Sequence, residues 1–240
     1  MRKWFVILAF LLLNLGLSGL ARAELLGVAW AGELWSVDHD SAEADFVAVV
    51  QGEDLNAFAV DALGLLYTVD GSGRLLSIDP DSGELEHAVP LDLGEIEVSV
   101  RALAFSPDGL LYAVNWAPGS VLYVIDPETG VGAEIGGLDA YFTQSLDFSP
   151  EGVLYGWGRD EGLYTIDPES AEIHDVNPVA VGPFLQSIAF DASGRLFGIR
   201  NDRGPEGLVE EIYEVDPATG AAWPQAVGPR LDLRGLVFLP

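Results

Sequence analysis

The chain has 240 residues, 38 of them acidic against 11 basic, which gives a net charge of −27; 49% are apolar and none is cysteine. So large an apolar share excludes an acidic disordered segment, and the shortage of cations excludes a nucleic-acid backbone as partner. Without cysteine there is no disulfide framework, no thiolate zinc site and no cysteine nucleophile.

The first residues read as a targeting segment. Arg2 and Lys3 precede an apolar run from Trp4 to Leu13, and Ala21-Arg22-Ala23 supplies a small-residue cleavage site. This is the three-part pattern of a secretory signal peptide over residues 1–23. The run is short and asymmetrically flanked for a membrane span, although an uncleaved anchor is the competing reading. Glu24 stands where a lipoprotein would need cysteine. The expectation is a periplasmic or secreted protein beginning at Glu24, with no membrane association after cleavage. Cleavage removes the only lysine and leaves eight arginines against 38 acids, a net charge of −30 over 217 residues. Such a charge favours solubility at the cost of self-repulsion, which salt screens. The absence of lysine suits a high-salt habitat, and a GC-rich genome would produce the same bias.

After Glu24 come two short apolar runs, Leu25 to Trp30 and Glu33 to Asp38. Four segments then align without gaps: Ala57 to Gly64, Ala102 to Gly109, Ser145 to Gly152 and Ser187 to Gly194. Each leads into a second run (Leu65-Leu66-Tyr67, Leu110-Leu111-Tyr112, Val153-Leu154-Tyr155, Arg195-Leu196-Phe197). A third run follows and ends in Asp-Pro at Asp79, Asp126, Asp167 and Asp216, and a less regular fourth ends near glycine, as in Val131 to Gly137. Runs this short, bounded by Gly, Pro and Asp turns, predict strands, and nothing after Glu24 predicts a helix. Four strands in 42 to 48 residues is the signature of a propeller blade.

The chain ends on Arg234-Gly235-Leu236-Val237-Phe238, a first strand with no second, and begins on second and third strands with no first. Joining the two completes a fifth blade and removes the sheet edges of an open array. The markers Val60, Phe105, Phe148, Phe190 and Phe238 are spaced 45, 43, 42 and 48, and wrapping through Glu24 accounts for all 217 residues. The predicted fold is therefore an all-β, five-bladed β-propeller over residues 24–240. A single domain, ring-closed by the C-terminal strand and monomeric, is expected.

The pattern F-S-P-[DE]-G-x-L-Y followed by L-Y-x-I-D-P-x-[ST]-G resembles that of bacterial exported propellers with quinoprotein-like, NHL-like and YVTN-type repeats. The resemblance spans the whole chain after Glu24 and implies a blade architecture, without naming an activity. The five-blade count also resembles tachylectin-type lectins and the five-bladed glycosidases.

Asp38, Asp79, Asp126, Asp167 and Asp216 recur in equivalent places, where a turn explains them better than a metal ring does. Asp caps backbone amides, Pro presets φ, and Gly83, Gly130 and Gly220 supply a positive φ. Asp38-His39-Asp40 lacks the glycine and terminal glutamate of a calcium loop. Tyr67, Tyr112, Tyr155, Phe197 and Trp157 read as core.

The residue that leads each first strand is polar: Asn56, Arg101, Gln144, Gln186 and Arg234. Repeat symmetry sets these five around one mouth of the central channel. The adjoining loops between second and third strands add Trp30, Trp116, Arg74, Arg159 and Asp160. The longest, Arg200 to Gly207, is expected to be a recognition loop carrying Arg200, Asn201, Asp202 and Arg203. The candidate ligand-binding set is Asn56, Arg101, Gln144, Gln186, Arg234, Trp30, Trp116, Arg159 and Arg200. It offers guanidinium and amide groups for a carboxylate, sugar or peptide backbone, with indoles for stacking. Alternatively the arginines simply pair with loop acids such as Glu95, Glu97 and Asp232.

No catalytic, metal or cofactor site is predicted. Glycoside hydrolysis needs two carboxylates across the bond, and only Asp147 lies within a first strand, where Ala59, Ala104 and Ala189 are its counterparts. No histidine is placed for general acid–base work: His39 lies in a turn, and His87 and His174 lie in outer strands. A nucleophile elbow and a nucleotide-binding glycine loop are both missing. The metal ligands that a gluconolactonase-like propeller requires cannot be assembled. Two functions are weighed: a non-enzymatic binding or scaffold module for a small-molecule, glycan, protein or peptide partner at the channel mouth, and a metal-assisted hydrolase or lyase using Asp147 with loop acids Asp160 and Asp202.

Overall fold

The computed structural model describes residues 24–52, 54–116, 119–176, 182–204, 207–228 and 230–240; the expected signal peptide, residues 1–23, lies outside them. Twenty strands form five antiparallel sheets of four, and there is no helix among the described residues. The first blade is assembled from both ends of the chain, with strand order β20 (Leu233–Phe238), β1 (Leu25–Ala29), β2 (Glu33–Val37) and β3 (Ala44–Val49). The second holds β4 (Asn56–Val60), β5 (Leu66–Val69), β6 (Arg74–Ile78) and β7 (Leu85–Pro90). The third holds β8 (Val100–Phe105), β9 (Leu111–Asn115), β10 (Val121–Ile125) and β11 (Gly132–Gly137). The fourth holds β12 (Thr143–Phe148), β13 (Leu154–Gly158), β14 (Gly162–Ile166) and β15 (Ile173–Asp175). The fifth holds β16 (Ser187–Phe190), β17 (Leu196–Gly204), β18 (Gly207–Val215) and β19 (Ala222–Val227). The inner strands β20, β4, β8, β12 and β16 touch in that order around a ring. The ring closes because β20 pairs with β1 over Leu25–Phe238, Leu26–Val237 and Gly27–Leu236.

The core between blades follows from the repeat. In four of the five blades the aromatic residue of the second strand packs on the phenylalanine that ends the next inner strand: Tyr67 on Phe105, Tyr112 on Phe148, Tyr155 on Phe190 and Phe197 on Phe238, with centroids 4.9 to 5.6 Å apart. Tilted and edge-on pairs at this range add to the area they bury. Trp157 is fully buried, as expected.

The recurrent aspartates make turns. The Asp79 carboxylate accepts from the amides of Asp81 and Ser82, and its carbonyl accepts from Gly83 N at 2.9 Å. Asp38, Asp126, Asp167 and Asp216 repeat the pattern. The positive φ falls on Gly83, Gly130 and Gly220, but on Ala42 and Ala171 in the first and fourth blades. At Gly130 a side chain would collide with the neighbouring blade, since a Cβ there would lie 2.3 Å from the Pro90 carbonyl oxygen.

Candidate functional site

Inner strands start at one end of the ring, and second strands finish there. Trp116 N donates to the Ser99 carbonyl, Arg159 N to that of Tyr141 and Trp30 N to that of Asp232. These bonds tie each second-strand exit to the loop that leads into an inner strand. The sequence-selected residues Arg101, Gln144, Arg234, Trp30, Trp116 and Arg159 therefore share one end of the ring.

A backbone irregularity explains the polar leading residue. In β8, Val100 pairs with Asn115 and Ala102 with Val114, so Arg101 is an extra residue without a partner. Gln144 and Arg234 are the corresponding extra residues of β12 and β20. Such β-bulges bend the strand and re-aim a side chain. Gln186 lies just before β16 and gives its N–H to the Ile199 carbonyl. Asn56 differs: it pairs in the ladder with Val69, and the bulge passes to Ala57, whose φ is 64°. Asn56 is buried, and its side-chain oxygen faces Ala57 N.

The arginines differ in what holds them. Arg74 is bound to the buried Asp70 carboxylate by two hydrogen bonds, 2.9 and 2.7 Å. Arg200 is not in a loop. The segment expected to be one continues as a hairpin, β17 paired with β18 out to Gly204–Gly207, and Arg200 lies inside β17. Its guanidinium bonds Asp202 and, at 3.1 Å, Glu211, and hydrogen bonds with Asp202 and Tyr213 push it above its ordinary pKa. Arg234 pairs with Asp232 at 2.7 Å and lies over the Trp30 ring at 5.0 Å.

Arg101 has no such partner. It is half-buried, makes no ion pair or hydrogen bond among the described residues, and its Nε is sealed from solvent without an acceptor. Burial first, and repulsion from Arg234 second, lower its pKa, so the two cations lie within electrostatic reach of each other. Arg101 and Arg159 share one aromatic ring. The Arg101 guanidinium lies 5.8 Å from the Phe142 centroid, and that of Arg159 lies 4.6 Å from Phe142 and 4.8 Å from Phe184. Trp116 meets the edge of Phe142 at 5.0 Å. The sequence reading passed over Phe142 and Phe184, which hold equivalent places two residues before Gln144 and Gln186; the shared Phe-x-Gln-Ser pattern of the two repeats was their signal.

Phe142 is held in a strained conformation. Its φ is 56°, a left-handed value that a bulky side chain avoids. Hydrogen bonds fix it on both sides: Tyr141 N to the Glu161 carboxylate at 2.8 Å, and Thr143 N to Ser120 Oγ at 3.1 Å. Outward of it runs a groove of about 720 Å³ lined by Trp116, Leu138, Tyr141, Phe142 and Glu161 among others. The segment from Arg230 to Leu233 is pinned in a similar way. Buried Glu210 accepts from Leu231 N at 2.7 Å and Leu233 N at 2.6 Å, while Arg230 and Asp232 take positive φ.

Asp147 is not at this end. It lies near the far end of β12, beside a central cavity of about 180 Å³ that is also lined by Val60, Phe105, Phe148, Phe190 and Phe238. The expected grouping of Asp147 with Asp160 and Asp202 is corrected: Asp160 follows the end of β13 at the mouth, and Asp202 lies in the outer part of β17, beyond Arg200. Both Asp147 oxygens accept backbone N–H bonds, from Phe148 at 2.9 Å and Phe190 at 2.6 Å. Burial outweighs those bonds and pushes its pKa up to about 7. No group of three His, Asp or Glu side chains able to hold a metal occurs among the described residues.

With the geometry established, comparison with solved structures is decisive for the fold. A chain of the nidogen/laminin complex superposes with a TM-score of 0.62 at 13% identity, covering 91% of this chain and 99% of that one. This is a β-propeller. A putative gluconolactonase gives 0.60 at 14% identity, covering 88% of this propeller and 80% of its own chain. A gluconolactonase from Xanthomonas campestris gives 0.58 at 16%, with 87% and 77% covered. No protein-family model and no curated protein sequence matches the chain. The likeness is one of fold, and that fold serves both a protein that binds a partner and enzymes.

Proposed function

We propose that this propeller is a non-enzymatic binding module, exported and freed of residues 1–23. It takes up a small-molecule, glycan or peptide ligand at the arginine-bearing mouth. One observation carries the reading: Arg101 is half-buried, its Nε is sealed from solvent without an acceptor, and it has no carboxylate partner among the described residues, in a chain with more than three acids for every base. A guanidinium carries five N–H donors, and burying them without acceptors is unfavourable unless a ligand supplies the acceptors. The bulges at Arg101, Gln144 and Arg234 turn polar side chains out of the ladder toward that ligand. The two carboxylates that Asp147 would need for a hydrolase lie at the opposite end, which favours binding over hydrolysis.

The test is a thermal-shift screen with small molecules, glycans and peptides, because a ligand of the folded state raises the melting temperature by mass action. Arg101→Ala is expected to abolish the shifts of wild-type hits while leaving the unliganded melting temperature within a few degrees. Hits that persist in Arg101→Ala and in Arg234→Ala would refute the site.

A further inference from the structure

We infer that the ligand of this mouth is a small organic carboxylate with a flat apolar body. The inference rests on the binding reading above and specifies its chemistry. Two arginines meet at one ring: Arg101 and Arg159 both lie over Phe142, and neither has a carboxylate partner among the described residues. Arg234, the third cation of this mouth, is already neutralised by Asp232. The uncompensated charge is thus centred on Phe142, in a protein otherwise dominated by acids. A planar guanidinium fork matches a carboxylate through two parallel hydrogen bonds.

The surroundings argue for an organic anion over an inorganic one. Phe142 is shared between the arginine pair and the groove of about 720 Å³, where Trp116 and Tyr141 continue the aromatic surface. A carboxylate held by Arg101 would place an attached ring along Phe142 and Trp116, where stacking is favourable. Inorganic phosphate would satisfy the guanidinium and leave that surface uncovered. Two acids, Asp139 and Glu161, also line the groove. Glu161 accepts from Tyr141 N, and neither acid forms an ion pair with Arg101 or Arg159 among the described residues, so the arginine pair at Phe142 is the cationic end of the groove. The strained φ of Phe142, pinned from both flanks, holds the platform ready before the ligand arrives.

The probe pair is phenylacetate and its neutral isostere phenylacetamide, titrated into the whole protein by calorimetry, with inorganic phosphate as a third arm. Wild type is expected to bind phenylacetate at least roughly tenfold more tightly than the amide, the scale of a charge-assisted hydrogen bond. Arg101→Gln should erase that preference without changing the melting temperature. Arg159→Gln, at a solvent-facing position, should reduce it several-fold and serves if the first variant fails to fold. Equal binding of acid and amide, phosphate binding more tightly than phenylacetate, or a preference that survives both substitutions would overturn the inference. So would absence of phenylacetate binding at millimolar concentration. If a neutral sugar or peptide from the thermal screen is then captured in an Arg101-dependent way, the binding site stands and only its anionic character is wrong. If nothing is captured, both fail.

Discussion

Replacing Asp147 with alanine, the residue found at Ala59, Ala104 and Ala189, should change how stability depends on pH. The carboxyl titrates near 7 in the folded chain against an ordinary 3.8, because burial near a phenylalanine-lined cavity disfavours its charge. Between those values the unfolded chain gives up the proton and the folded chain keeps it, so stability falls as pH rises from 4 to 7 and then levels off. Each pH unit in that interval is worth about 1.4 kcal/mol, so an ionised Asp147 costs the fold about 4 kcal/mol at pH 8. Alanine removes that term, but leaves the N–H groups of Phe148 and Phe190 without their acceptor, at about 1 to 3 kcal/mol each unless water enters the cavity. Wild type should therefore be the more stable protein at pH 5, and the difference should shrink or reverse by pH 8. Urea denaturation followed by tryptophan fluorescence, at fixed ionic strength across that range, measures it. Contributions of the remaining acids cancel in the comparison of the two proteins. A stability difference that stays flat from pH 4 to 8 would refute the assignment.

Two further outcomes follow from backbone geometry. Gly130→Ala should cost more than about 3 kcal/mol, combining a left-handed φ with a collision against Pro90; Gly109→Ala, with a similar φ and open space around it, should show only the conformational cost of about 1 to 2 kcal/mol. Equal losses in the two variants would remove the claim that the blades approach too closely for a side chain. Glu210→Gln should cost about 1 to 3 kcal/mol, because an amide cannot accept from both Leu231 N and Leu233 N. Amide hydrogen exchange at Leu233 should accelerate, and unchanged protection there would show that Glu210 does not hold the loop before Arg234.

The architecture was legible because a repeat writes the same instruction several times. Phe105, Phe148, Phe190 and Phe238 at the ends of inner strands, and the Asp-Pro turns, predict the blade, its core and its closure together. The site was less legible. The leading polar residues stand out by alignment, yet alignment cannot show that Arg101, Gln144 and Arg234 are bulged while Asn56 stays in the ladder. That distinction depends on which residue the neighbouring strand leaves unpaired. Phe142 and Phe184 share one place in the register, but only two of the five repeats carry an aromatic there, Asp54, Ser99 and Asp232 standing in the others, so the position did not stand out. The segment from Arg200 to Gly207 looked like a loop because it is polar; the hairpin is made by backbone pairing with Gly207 to Glu211, which no apolar alternation announces. Asp147 was singled out correctly as exceptional and assigned to the wrong end of the channel, since its place in β12 lies four residues beyond the start of the strand.

The pairing of β20 with β1 bears on the order of events in synthesis. Four blades consist of strands contiguous in sequence and can form as the chain emerges. The first blade waits for residues 233–238, the last strand of the propeller in chain order, and until then Leu25, Leu26 and Val28 present an open sheet edge. The complete ring is therefore a property of the finished chain. A nascent or C-terminally clipped molecule carries a vacant β20 position, a template for pairing with another copy and a surface that folding helpers or proteases can recognise.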